Sequence, residues 1–200
     1  VPVLELDDGQ RLTEGPAIVQ YIADQVPARN LAPAAGSMAR YRVMEWLNFI
    51  TSELHKSFSP LFNPAMPEEG KALYRQRLLS RFQWVDSQLE GRDYLMGSSF
   101  TVPDAYLFTV TNWCKPVGLD ISGLKHLGAF MARVAARPAV PWSVFAQQPF
   151  IASAPRSSIR PITDAVLMQK RLALHSALEY PSVTACGALV AAGLGITALP

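Results

Sequence analysis

Two apolar stripes at helical spacing constrain this chain more than any other feature. Val43, Leu47, Ile50, Leu54 and Phe58 recur at steps of three and four, which lines one face of an α-helix. The spacing predicts a helix from Ser37 to about Phe58. A second stripe, Leu73, Leu78, Phe82, Val85 and Leu89, predicts another long helix from Pro67 to Glu90-Gly91. Each stripe has to be buried against another element. The short Pro-rich turn between them predicts an antiparallel helix pair. Tyr21, Tyr41, Tyr74, Tyr106, Trp46, Trp84 and Trp113 all fall on helical apolar faces and read as core.

The segment Phe100-Thr101-Val102-Pro103-Asp104 is the sharpest local signal. Thr101 at the N-cap and Asp104 three residues later form a capping box, with Pro103 in the first turn and Phe100 as a staple. Asp104 therefore reads as a folding element, not as a general base. Leu124 to Ala136 reads as a further helix, stopped by Arg137-Pro138, and Pro141 to Gln147 as a last short one. Near the start, Val3 to Leu6 and Arg11-Leu12 read as a hairpin around Asp8-Gly9, a strong turn pair. Thr13 is placed to cap a helix running from Glu14 to about Asp24.

Composition narrows the class. Half the residues are apolar and 17% are charged, enough for a sizeable core and too apolar for disorder over most of the length. A net charge of +2 gives no argument for nucleic acid or an anionic membrane. Cys114 and Cys186 form no metal-spaced or redox pair, which fits a reducing cytoplasm. No signal peptide is visible, and the apolar run from Ala185 to Leu199 is broken by glycines and shorter than the roughly 18 residues of a membrane span.

Five segments in order, VPVLELDDG (1–9), LTEGPAI (12–18), EWLNFITSELHK (45–56), FTVPDAYLF (100–108) and FMARVAARPAV (130–140), resemble a glutathione S-transferase of the bacterial beta class. The resemblance covers residues 1–148. It implies a mainly α fold, an all-α C-terminal domain preceded by a truncated thioredoxin-like α/β domain. Residues 1–29 would be its ββα remnant, 30–36 a linker and 37–148 the helical domain. An N-terminal βαβ unit carrying the thiol-activating residue would be missing, leaving a half-site with weak or no conjugating activity. Beyond Phe150, Leu189-Val190-Ala191-Ala192-Gly193-Leu194-Gly195-Ile196 resembles part of the effector-binding domain of LysR-type transcription regulators. Residues 149–200 are expected to be an unrelated, poorly ordered tail, loosely helical at most over 151–182 and unable to form its own sheet.

Glutathione offers a thiol, two carboxylates and an ammonium. The start of the Glu14 helix could serve it, with backbone N–H groups for a carboxylate, Gly15 for close approach and the Glu14 carboxylate for the ammonium. By residues alone this is also an ordinary helix start. Asn48, Ser52 and His55 recur at steps of four and three and share a helix face, which is either solvated or turned to a ligand. The resemblance places Val1, Glu14, Gly15, Asn48, Ser52, Glu53, Leu54 and His55 near glutathione. It makes Val1-Pro2 the family's cis-proline contact and puts His55 by the sulfur as an assisting group. Lys56 reads as solvent-facing. The resemblance implies conjugation of glutathione, as substrate, to a small hydrophobic electrophile, without a metal, in a homodimeric cytoplasmic family. Two other readings stay open: a non-catalytic helical binding module with a regulator-derived tail, and a join of two gene fragments.

Overall fold

A hairpin opens the chain, and its turn is local chemistry. β1 (Val3–Glu5) pairs antiparallel with β2 (Arg11–Thr13), Leu4 opposite Leu12. Gly9 takes a positive φ of 82°, a conformation glycine adopts without steric cost. Its N–H donates to the Leu6 carbonyl, while Asp8 accepts from the Gln10 backbone. α1 (Gly15–Gln25) follows and buries Ile18, Val19, Ile22 and Ala23. The computed structural model describes residues 3–6, 8–137, 150–153 and 176–180. The chain divides into two units, residues 1–32 with 138–200 and residues 33–137.

The second unit is helical. α2 (Met38–Phe49), a π-helical turn (Ile50–His55) and α3 (Lys56–Phe62) form one unbroken run. Ser37 caps it by accepting from the Arg40 N–H. The expected stripe is the inward face: Val43, Leu47, Ile50, Leu54 and Phe58 are all buried. Each contributes on the order of 1.5–3 kcal/mol. The π-turn was not expected. Thr51, Ser52 and Ser57 hydroxyls donate to the carbonyls of Leu47, Asn48 and Glu53, and such back-bonding competes with the backbone ladder and deforms it.

Asn63-Pro64-Ala65-Met66-Pro67 turns the chain into α4 (Glu68–Gln88), with Asn63 Oδ1 accepting from Ala65 N–H. Contacts between the two rods run in opposite directions: Trp46 meets Trp84, and Glu53 meets Arg81 and Arg77. The pair is antiparallel, as the short turn requires. Leu78, Phe82, Val85 and Leu89 are buried, but Leu73 is 68% exposed. It is five residues from Leu78, one step off the stripe, and so misses the face. Tyr41 and Trp84, expected in the core, are also exposed, because they sit on the outer flanks of their helices.

α5 (Val102–Thr111) starts at the capping box. Phe100 stacks edge-on against Tyr94 at 5.7 Å, and the Arg137 guanidinium lies 4.0 Å above its ring. α6 (Lys125–Ala135) has no side-chain cap of its own. Asp86 of α4 supplies one, its carboxylate accepting from the Leu127 N–H at 2.7 Å. Arg75 Nε, also on α4, donates to the Val117 carbonyl and pins the α5–α6 connection.

Within the tail, β3 (Phe150–Ser153) and β4 (Ser176–Tyr180) form a two-stranded parallel ladder. This corrects the expectation that the tail forms no sheet of its own. Parallel pairing needs a crossover of about a dozen residues or more, and the sequence between the strands is long enough. The short helix expected over 141–147 lies outside the described residues.

Candidate functional site

α1 begins under strain. Glu14 occupies the N-cap with φ 67° and ψ 117°, and no side chain caps the helix. Thr13 therefore does not have the capping role expected of it; it is the last residue of β2. A non-glycine residue at positive φ costs about 1–3 kcal/mol and persists only where its surroundings hold it there. Part of the hold is visible: the Glu14 carbonyl accepts from both Ala17 and Ile18 N–H groups. Pro16, in the first turn, has no N–H to satisfy. The Glu14 side chain is exposed and Gly15 is half-buried at the helix start. An exposed glutamate thus sits at the helix end that favours anions, beside a residue with no side chain.

In the helical unit, the π-turn separates the expected polar triplet. Asn48 and Ser52 are exposed and stay on the outer face, joined by the Ser52 hydroxyl donating to the Asn48 carbonyl. His55 is half-buried, with its ring edge-on to Tyr106 at 5.7 Å and to Trp113 at 4.8 Å. The wider turn carries it away from the face a regular α-helix would give it. His55 Nδ1 and the Tyr106 hydroxyl oxygen are 2.6 Å apart. Burial first, and the Lys56 charge second, pull the His55 pKa below its ordinary 6.5. The imidazole is therefore neutral at pH 7, with one N–H and one bare nitrogen.

The remaining predicted residues divide by what their side chains already do. Glu53 accepts from Arg81 Nε at 2.8 Å, and Arg77 lies 3.5 Å away. Leu54 is fully buried, so only its backbone is available to a ligand. Lys56 is exposed. Asp104 is fully buried and accepts from Leu95 N–H, Thr101 N–H and the Thr101 hydroxyl. Burial nonetheless pushes its pKa up to about 6, against the pull of these donors. Val1 and Pro2 lie outside the described residues.

Tyr106 and Trp113 are the residues that sequence reading missed as site components. Both were read as packing, and Tyr106 is indeed 5% exposed. What distinguishes it is one hydroxyl meeting a histidine 51 positions away, a relation no local pattern carries. An open cavity of about 670 Å³ is lined by Thr111, Cys114, Lys115, Leu119, Leu124 and Met131, among others, and by none of the predicted site residues. Among the described residues no three His, Cys, Asp or Glu side chains gather as for a metal ion, and no helix is long and apolar enough to cross a membrane.

Residues 49–138 match the family description "Glutathione S-transferase, C-terminal domain", and residues 129–200 match "LysR substrate binding domain". The glutathione S-transferase GstA of Escherichia coli O157:H7 is 51% identical over 140 residues, 70% of each chain. Among solved structures, the ternary complex of BphK, a bacterial GST, is 57% identical over 68% of each chain, with a TM-score of 0.67. A sphingomonad glutathione S-transferase complexed with glutathione is 46% identical over 69% of each chain, TM-score 0.66. A beta-class enzyme from Sphingomonas chungbukensis is 43% identical, also over 69% of each chain, TM-score 0.66. These matches favour a transferase over a non-catalytic helical module.

Proposed function

Because the chain belongs to the glutathione S-transferase family, we propose that it conjugates glutathione to a small hydrophobic electrophile, with Glu14 and His55 among the residues that contact the tripeptide. Glu14 takes the γ-glutamyl ammonium, and Gly15 lets a carboxylate approach the α1 N-terminus. His55 assists at the sulfur with the Leu54 backbone beside it, and Asn48, Ser52 and Glu53 are further glutathione contacts from the same helical run. Val1 adds a backbone contact, with Pro2 in a structural role.

In this reading residues 1–29 belong to a thioredoxin-like glutathione-binding domain, 30–36 link it to the helical domain 37–148, and 149–200 form a tail related to LysR regulators. Two cysteines without paired spacing fit a reducing, cytoplasmic setting.

The observation that carries the reading is Glu14, a charged residue held at positive φ on a helix N-terminus. Strain of this kind persists where a fixed geometry serves a ligand. The test is a thermal melt of the 200-residue chain with and without millimolar glutathione, paired with a rate assay on an aryl halide. At about 100 times its dissociation constant, glutathione adds roughly 2.7 kcal/mol to native stability. The midpoint should rise, the aryl halide should be consumed in a glutathione-dependent way, and Glu14→Gln should reduce both effects. No shift together with no rate would overturn the reading.

A further inference from the structure

A second, smaller cavity of about 280 Å³ lies where the end of α4 meets α6, with Gly91, Arg92, Asp93, His126, Ala129 and Arg133 in its lining. Local chemistry builds both walls. Gly91 takes φ 70° just after α4, the left-handed conformation that ends many helices and that glycine adopts without steric cost. The chain turns there, and the Arg92 N–H closes on the Leu89 carbonyl. On α6, His126, Ala129 and Arg133 follow at steps of three and four, so they share one face. Ala129 carries only a methyl group and leaves room between the two basic side chains.

The lining is basic: two arginines and a histidine against one acid, Asp93. Asp93 fixes Arg133, whose Nη1 donates to the Asp93 carbonyl at 2.7 Å and whose Nη2 lies 3.2 Å from its carboxylate. The guanidinium has further N–H donors for a ligand. Arg92 is exposed and His126 half-buried, and neither side chain bonds to another described residue. His126 lies in the first turn of α6, where backbone N–H groups add partial positive charge. Asp86 takes the Leu127 N–H at this helix start and is not among the lining residues.

The volume falls below the roughly 300 Å³ at which pockets for drug-sized molecules begin, so the cavity suits an ion or a small head group. Donors on two elements favour a tetrahedral oxyanion. A carboxylate presents its oxygens in one plane, whereas a phosphate presents them in several directions and carries more charge.

We infer that this cavity is a phosphate site, built from none of the residues assigned to glutathione. Arg92 and Arg133 supply positive charge, and His126 donates a ring N–H. The acceptor is an oxygen of free phosphate or of the phosphate group of a larger molecule.

Inorganic phosphate is titrated into the 200-residue chain at fixed pH and ionic strength, replacing chloride. The readouts are the heat of binding and the carbon-bound ring protons of His126 in NMR spectra. The chain has three histidines, and a His126→Leu sample assigns the resonance. Phosphate should shift the His126 signals saturably, and Arg92→Ala and His126→Leu should each weaken binding about tenfold. Phenyl phosphate separates the two sources. Tighter binding than phosphate assigns the site to a phosphate carried on a larger molecule, and equal or weaker binding assigns it to the free ion. A His126 resonance that responds to phosphate no more than to chloride overturns the site, and so does an affinity unchanged in Arg92→Ala. Were His126→Leu to fail to fold, the heat of binding to Arg92→Ala still decides, because that side chain is exposed.

Discussion

Asp104 sets burial against hydrogen bonding, and the pH dependence of stability decides which wins. The carboxylate has no solvent exposure and accepts two backbone N–H bonds and one hydroxyl. Three donors favour the charged form, while burial disfavours it more strongly, so the folded-state pKa rises from 3.8 to about 6. Between those values the native state binds more protons than the unfolded state. Stability from this group is therefore greatest below about pH 4 and is lost as pH rises through 6. The loss amounts to about 3 kcal/mol. Urea unfolding at a series of pH values, in the wild type and in Asp104→Asn, isolates the effect, because other titrating groups cancel in the difference. Asparagine has one acceptor oxygen for two N–H groups, so the variant starts with a constant deficit of about 1–3 kcal/mol. The wild-type advantage over Asp104→Asn should shrink from pH 4 to pH 7. An advantage that grows over that range would mean the three donors hold the carboxylate below 3.8, and the argument from burial would fail.

Two further outcomes follow from burial. Leu54→Ala should destabilise the chain by about 2–5 kcal/mol in urea unfolding, whereas Leu73→Ala, at a 68% exposed site, should change it by less than about 0.5 kcal/mol. Equal costs would contradict the placement of the two stripes. The Cys114 thiol is buried and its pKa is pushed up to about 12, so peptide-resolved mass spectrometry should find it unmodified by a maleimide at pH 7.5 until denaturant is added. Rapid labelling of the native chain at Cys114 would overturn that placement.

The helical unit was largely legible because its signals are local. An apolar residue every three or four positions fixed the inner face of the first long helix. Thr101 and Asp104 announced the start of α5 through hydrogen bonds three residues apart. What escaped notice depends on wider relations. The π-turn coincides with three hydroxyls bonded to backbone carbonyls, and Ser and Thr are too common in helices to mark it. Leu73, Tyr41 and Trp84 were misplaced because an apolar side chain near a stripe need not lie on it. The strained φ of Glu14 had no signal either, since glutamate seldom adopts it. The contact between His55 and Tyr106 could not be read, because nothing in either neighbourhood refers to the other. In the tail, the β3–β4 ladder pairs segments too distant for a turn motif to announce.

The cap that Asp86 lends to α6 bears on the order of assembly. Ser37 and Thr101 start α2 and α5 from their own sequence, but α6 has no side-chain cap beside it. Its first turn becomes favourable only once α4 is folded and docked alongside. A peptide spanning α6 alone would fray at its beginning, however strong its apolar stripe. Helix formation at the end of the domain is thus made conditional on packing at its centre, which couples the two in a single cooperative transition.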